Sequence, residues 1–330
     1  MKRFLRLSFV AAFLFGVVSQ AAAVELKMAI VAPEGSTWAK VMNEWNQELT
    51  QRTNGNVKLK IYAGGVLGDE RDVIRKMQIG QVHMGGFTGL GLGIVNPSVR
   101  VLELPMLFSS YSEADAVTKK IQPKLETGFE QKGFELLGWA ETGFVNIFSN
   151  KPIATRENMD GMKMWMWEGD PLVKAMYDRF GIVPIPLALP DVLTSLSTNL
   201  IDAVYAPPLA AIALQWHTKT KYMTDLKLAD STGGILITKR ALLSIPEGDR
   251  KILEETARKY AKILVDRTRA DNEKSYATLT KVGIKTVEVP QEEVQRIRET
   301  SQLVWKDLVG KLYPQDLLNE AMSAVTELRK

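Results

Sequence analysis

Two tryptophans, a lysine and two carboxylates crowd into one short stretch of this chain, Met162 to Pro171, and together they could stack on a ring, hold a cation or pair with an anion. The middle of the stretch alternates with a period of two, so Met162, Met164 and Met166 share one face of a strand while Lys163, Trp165 and Trp167 share the other. Gly169 breaks the run, and Asp170 before Pro171 reads as a helix N-cap followed by proline at the first helical position. The methionine face reads as core. The indole face is either a second buried face or the wall of a ligand cleft, since large aromatics are enriched in recognition surfaces. Of the two acids, Asp170 suits a capping role, and Glu168 suits either a solvated surface or the pocket.

Other candidates follow from where clefts form. In alternating strand and helix architectures, ligands sit at the carboxyl ends of strands, where helix N-termini point. The segments in such places are 33–38, 87–89, 143–146, 165–170 and 205–208, which add Trp38, Phe87, Phe144 and Tyr205 to Trp165 and Trp167 as ligand-binding candidates. Glu70 opens a helix and is a further candidate for ligand contact. The set is rich in aromatics and poor in positive charge. It suits an apolar or aromatic ligand with one polar end, or a cation held by indole faces and a carboxylate.

Composition excludes several chemistries. Cysteine is absent, so neither disulfides nor thiolate catalysis is available, and the only histidines are His83 and His217. No histidine-rich metal site can be built, and no G-x-S-x-G elbow accompanies either histidine. The glycines of 88–93 fail the G-x-G-x-x-G spacing and read as a flexible loop rather than a nucleotide site. No cofactor and no metal are expected. The formal net charge of +4 includes Lys2, Arg3 and Arg6 at the extreme N-terminus, so the remainder is near neutral and gives no reason to expect nucleic acid.

Those three basic residues precede the apolar run 7–18 and then Ala21-Ala22-Ala23, the layout of a secretory signal peptide over residues 1–23. The expected mature chain is exported and soluble, with no stable membrane insertion. Behind it, strand and helix signals alternate. Strands are expected over 24–31, 57–62, 82–87, 134–139, 143–149, 201–205, 233–238 and 284–289. Helices are expected after Ser36, from Leu67 to Met77, from Ser112 to near Gly133, from Asp191 to near Asn199, and after Pro290. Mainly parallel pairing is expected. The run 246–282 lacks proline and repeats its apolar residues at helical spacing; at 1.5 Å per residue a helix of about 30 residues spans about 45 Å, more than one domain's width, so it must bridge two lobes.

The segments GGVLGDE at 64–70, MQIGQVHM at 77–84, LPMLF at 104–108, KPI at 151–153, MDGMK at 159–163 and the run from Leu196 to Asp202 carry a resemblance. In order and spacing they resemble the solute-binding proteins of tripartite ATP-independent periplasmic (TRAP) transporters, of the DctP type. The resemblance implies an α/β, two-lobed periplasmic binding protein fold with hinge strands and a long lobe-bridging helix. It implies lobe I over 24–142 plus 231–270, and lobe II over 143–230 plus 271–330. It further implies a non-enzymatic periplasmic receptor of the Gram-negative type, with a small-molecule ligand and TRAP membrane subunits as partners. Family members typically grip a ligand carboxylate with an arginine two residues after the lysine of the G-x-K motif; that place is Trp165 here. A second arginine of the acidic-sugar branch falls on Val145, and a frequent asparagine falls on Ala206. The site implied is thus an aromatic cleft, with a carboxylate or cationic solute held by a non-standard site as the alternative. A sensing partner in the membrane, or an exported enzyme, are the other classes considered.

Overall fold

A computed structural model describes residues 23–330; the leader expected over 1–23 lies, except for its last residue, outside the described residues. The strands are β1 Val24–Ile30, β2 Val57–Tyr62, β3 Met84–Thr88, β4 Phe134–Phe144, β5 Asn146–Ser149, β6 Trp165–Trp167, β7 Ile185–Leu187, β8 Ala203–Ala206, β9 Tyr222–Thr224, β10 Asp230–Thr238 and β11 Lys285–Val287. The helices are α1 Thr37–Arg52, α2 Glu70–Gln78, α3 Gly89–Val95, α4 Tyr111–Gln131, α5 Pro171–Phe180, α6 Val192–Ser197, α7 Pro208–Ala213, α8 Lys239–Leu243, α9 Glu247–Lys281, α10 Gln291–Asp307 and α11 Gln315–Leu328.

Two sheets organise these elements. One lobe is built on the order β2-β1-β3-β10-β4, the other on β11-β9-β5-β8. The two-stranded β6-β7 ribbon adjoins the second sheet through a Met164–Ala203 bridge. The lobes are joined where β4 runs into β5 and where the chain returns from β9 to β10. Across that hinge the two crossing segments keep their ladder: Val145 N–H donates to Ala229 O at 2.9 Å and Leu228 N–H to Val145 O at 2.9 Å. Short strand-like connections of this kind can bend while both sheets stay rigid.

Pairing is not mainly parallel. β1 pairs in parallel with β2 and β3, β6 with β7, and β9 with β11, but β10 is antiparallel to both β3 and β4, and β5 to both β8 and β9. The departure has a topological cause: each crossing strand enters its new sheet from the hinge, and so meets neighbours that run the other way. The glycine run at 88–93 is also not a loop. Thr88 caps α3 there, accepting from Leu90 N–H, and the small residues pack beneath buried neighbours.

α9 is a single helix of 35 residues. Leu253, Ala257 and Leu264 share a core with α1, β1 and β4, while Leu279 joins the second lobe's core around Phe148 and Trp165. One helix therefore spans both lobes, as its length demands. The C-terminal segment differs from the expected division, which gave 271–330 to lobe II. α11 packs on α4, and Trp305, Leu317 and Leu318 share a core with Phe129 and Phe134 of the first lobe. Its buried stripe Leu317, Leu318, Ala321, Ala324, Val325 is a helical face that needs an apolar partner, and α4 offers Ile121, Leu125 and Phe129.

Candidate ligand-binding cleft

The stretch around Trp165 alternates as its sequence requires. Met162, Met164 and Met166 pack in one cluster with Tyr177 and Ile182, while Trp165 and Trp167 pack on the opposite side with Trp216, Val204 and Leu90. Regular ladder pairing covers only Trp165–Trp167, because β7, its partner, is equally short. Lys163 is exposed, donating through Nζ to Asn199 O at 2.8 Å, and takes no part in the cleft.

Trp165 sits at the centre of an aromatic cluster. Its ring stacks on Tyr205 at 4.6 Å and 23°, meets Trp216 edge-on at 5.2 Å, and tilts against Trp167 at 5.9 Å. Hydrogen bonds hold the arrangement: Trp165 Nε1 donates to Leu187 O at 3.1 Å, Tyr177 Oη donates to Trp165 O at 3.0 Å, and Trp167 N–H donates to Tyr205 Oη at 3.1 Å. A cavity of about 240 Å³ opens between the lobes, and Trp165, Trp167, Tyr205 and Trp216 of the second lobe face Trp38, Phe87 and Glu70 of the first across it.

Six of the eight residues expected at the site line this cavity: Trp165, Trp167, Tyr205, Trp38, Phe87 and Glu70. Phe144 and Glu168 do not. Phe144 is turned into the first lobe's core, tilted against Tyr111 at 4.9 Å, because the β4–β5 crossing places it on the inner face of the sheet. Glu168 is exposed beyond the end of β6. Two of the lining residues are also committed elsewhere. The Phe87 ring is wedged close to Gly85 and Gly91, where a Cβ would sit 2.6 Å from it. The Glu70 carboxylate accepts from Thr88 N–H, Thr88 Oγ1 and Gly91 N–H at 2.7–2.9 Å, which ties α2 to the N-terminus of α3. Burial nonetheless pushes its carboxyl up to about 8, outweighing those donors.

Charged residues that the sequence reading passed over define the polar part of the cleft. Arg100, in the 3-10 turn Pro97–Glu103, is fully enclosed; its Nη2 donates to both oxygens of Asp170 at 2.9 and 3.0 Å and its Nη1 pairs with Glu103 at 3.0 Å. Asp170 meanwhile caps α5, accepting from Leu172 and Val173 N–H, so the capping role expected of it holds and a second role is added. Trp167 Nε1 donates to Asp69 Oδ2 at 2.7 Å, a second bond between lobes. Among the described residues, five buried polar atoms lack a partner, and four belong to lining residues: Trp38 Nε1, Arg100 Nε, Asp230 Oδ1 and Thr268 Oγ1. Buried polar groups are nearly always satisfied, so this concentration sets the cavity apart from the rest of the described interior. The signals were present but weak: Arg100 is the one charge in the apolar run Val99–Leu102, and Asp230 is the one charge in β10.

The histidines are elsewhere. His83 Nδ1 accepts from Lys27 N–H at 3.0 Å, and His217 Nδ1 lies 3.1 Å from Ala211 O. No cluster of potential metal ligands occurs among the described residues, and none of their helices is long and apolar enough to cross a membrane.

Comparisons with known proteins bear on the fold and the family. The family model of bacterial extracellular solute-binding protein, family 7 (DctP), matches residues 28–311. A solute-binding protein of Verminephrobacter eiseniae is 30% identical over 273 residues, 81% of this chain and 80% of that protein. The C4-dicarboxylate-binding periplasmic protein DctP of Rhodobacter capsulatus is 22% identical, over 89% of this chain and 85% of its own. The sugar acid binding protein DctPAm of Advenella mimigardefordensis, solved in complex with galactonate, superposes with a TM-score of 0.87 at 19% identity, covering 93% of this chain and 99% of that one. The chain belongs to the DctP family, the periplasmic solute-binding receptors of TRAP transporters.

Proposed function

We propose that this receptor captures a small solute with an apolar or aromatic body and one polar end, and delivers it to the membrane subunits of a TRAP transporter after export by its leader. The observation that carries the reading is the commitment of the cleft's cations. Arg100 is taken up by Asp170 and Glu103, and Arg156, the other lining arginine, bonds to Asp160 and to the carbonyls of Phe180 and Gly181. A ligand carboxylate would therefore find no guanidinium whose charge is unopposed, only the unpaired Nε–H of Arg100, and an unpaired buried charge costs several kcal/mol. The indole and phenol rings of Trp165, Trp167, Tyr205 and Trp38 offer stacking instead, worth about 0.5–1.5 kcal/mol per aromatic pair beyond the area buried.

No catalytic step is assigned; binding and release are the activity. The competing reading is a carboxylate ligand, favoured by what the relatives hold: galactonate in one, C4-dicarboxylates in another. A thermal-shift panel of aromatic, aliphatic, cationic and dicarboxylic metabolites separates the two, since a ligand at 100 times its Kd stabilises by about 2.7 kcal/mol. Aromatic or apolar compounds are expected to raise the melting temperature. If dicarboxylates and sugar acids alone do so, the aromatic reading is wrong.

A further inference from the structure

Asp230 opens β10 at the hinge, is 5% exposed, lines the cavity, and leaves Oδ1 without a hydrogen-bond partner. The charged groups that act on it most are Glu141, Arg269, Glu103 and Asp115, and the Tyr111 phenol lies close enough to be raised in part by its charge. Arg269 spends its guanidinium on Glu141, at 2.6 and 2.8 Å, and on Asp115, at 2.7 and 2.9 Å. Arg100 is likewise spent on Glu103 and Asp170. Two guanidiniums thus serve Glu103, Asp115, Glu141 and Asp170 and neither donates to Asp230; Arg100 Nε is left unpaired, and the Lys227 ammonium lies 5.0 Å from the ring of Phe144, the strand partner of Asp230. Burial first, and the nearby Glu141 charge next, hold its carboxyl well above the usual carboxylate range.

We propose that the polar end of the ligand is a cationic nitrogen, an ammonium or a protonated heterocycle, that docks on Asp230 while the apolar body lies against the indoles. The proposal rests on the aromatic-cleft reading and specifies its ligand class. An anion would add to an existing surplus of carboxyls. A neutral group would leave that surplus as it is. A cation supplies the missing donor to Oδ1 and favours the ionised form of Asp230 against the burial that opposes it. The Trp38 ring lines the same cavity, packed over Gly233 on the other face of β10. Cations over indole faces are attracted by the ring quadrupole, more so when desolvated.

The test uses one aromatic body with three charges, phenethylamine, phenethyl alcohol and phenylacetate, together with galactonate, titrated calorimetrically into the wild-type receptor and into Asp230→Asn. Phenethylamine is expected to bind at least tenfold tighter than the alcohol. Its binding heat is expected to vary between buffers of different ionisation enthalpy, because Asp230 releases a proton. Asp230→Asn is expected to lose both the tenfold preference and the buffer dependence. Tightest binding by phenylacetate, equal binding of the three, or an unchanged preference in the variant would overturn the cationic assignment alone. Binding of galactonate with none of the aromatics would overturn the aromatic cleft as well, and binding of none of the four overturns the proposal. Should the variant fail to fold, the buffer dependence of wild-type binding decides by itself.

Discussion

Arg100 and Asp170 form an ion pair across the two lobes, one nitrogen, Nη2, donating to both carboxylate oxygens at 2.9 and 3.0 Å, with both side chains almost wholly enclosed. Arg100 belongs to the first lobe and Asp170 caps a helix of the second, so the pair acts as a clasp over the cleft. Removing one partner of a buried pair typically costs 3–5 kcal/mol because the other is left uncompensated. In Asp170→Asn the amide can still cap α5 and Glu103 still faces Arg100, so a loss near the low end, about 3 kcal/mol, is expected in urea unfolding. Loss of the clasp also favours the open form, which small-angle scattering reads as a larger radius of gyration. Unchanged stability and scattering would show that the clasp contributes nothing to closure.

A second tie between lobes is gentler. Trp167 Nε1 donates to Asp69 Oδ2 at 2.7 Å, and burial raises the Asp69 carboxyl while this bond works against the rise. Trp167→Phe keeps most of the apolar area but removes the donor. Hydrogen bonds to charged groups contribute roughly 1.5–3 kcal/mol. Because the bond exists only when the lobes meet, its loss is expected to appear in ligand affinity, about tenfold or more weaker, with a smaller change in unfolding midpoint. An affinity equal to wild type would mean the closed form does not depend on it.

The sequence was most informative where a short pattern is decided locally. Ser36 and Asp170 cap the helices expected of them, and the alternation from Met162 to Trp167 sorts its methionines and tryptophans into two separate cores. It was least informative where packing across the chain decides. Phe144 and Trp38 are both aromatics beside a crossing or a strand end, yet Phe144 is taken up wholly by a core while Trp38 packs in a core and also lines the cavity, a difference set by tertiary packing rather than by local pattern. Arg100 and Asp170 are 70 residues apart, so the clasp has no local signature. The glycines of α3 looked like a loop because propensity ignores Glu70, whose carboxylate organises that helix's first turn.

Glu70 gives a prediction about pH. Its carboxyl is held up at about 8 in the fold, against an ordinary value of 4.5, chiefly by burial. Between those two values the folded protein keeps the proton that the unfolded chain gives up. Stability is therefore expected to fall as pH rises through this window, by at most about 1.4 kcal/mol per pH unit, and to level off above it. Glu70→Gln cannot ionise. It carries a constant penalty, because its amide nitrogen must face a backbone N–H, but it lacks this slope. Urea unfolding of both proteins at pH 5, 6, 7 and 8 should show the gap moving in favour of the variant as pH rises; parallel curves would contradict it.

The hinge offers the sharpest test of how closure is set. Gly143 has φ +107°, a backbone region closed to side chains without strain, and a Cβ there would lie 2.4 Å from Asn272 Nδ2. That same amide donates to Thr142 O at 2.9 Å and to Thr268 O at 3.1 Å, while Asn272 Oδ1 accepts from Leu209 N–H at 3.0 Å. One side chain thus fastens the lobe-spanning helix to a crossing strand and to α7. Gly143→Ala should pay both the backbone strain and the displaced amide, about 2–3 kcal/mol together. Asn272→Ala removes the obstacle as well as the fastening, so the double variant should be less destabilised than the sum of the singles, with a coupling of at least about 0.5 kcal/mol. Strict additivity would assign the whole cost of Gly143→Ala to backbone strain, and the close approach of Asn272 to the hinge would then play no part in holding it.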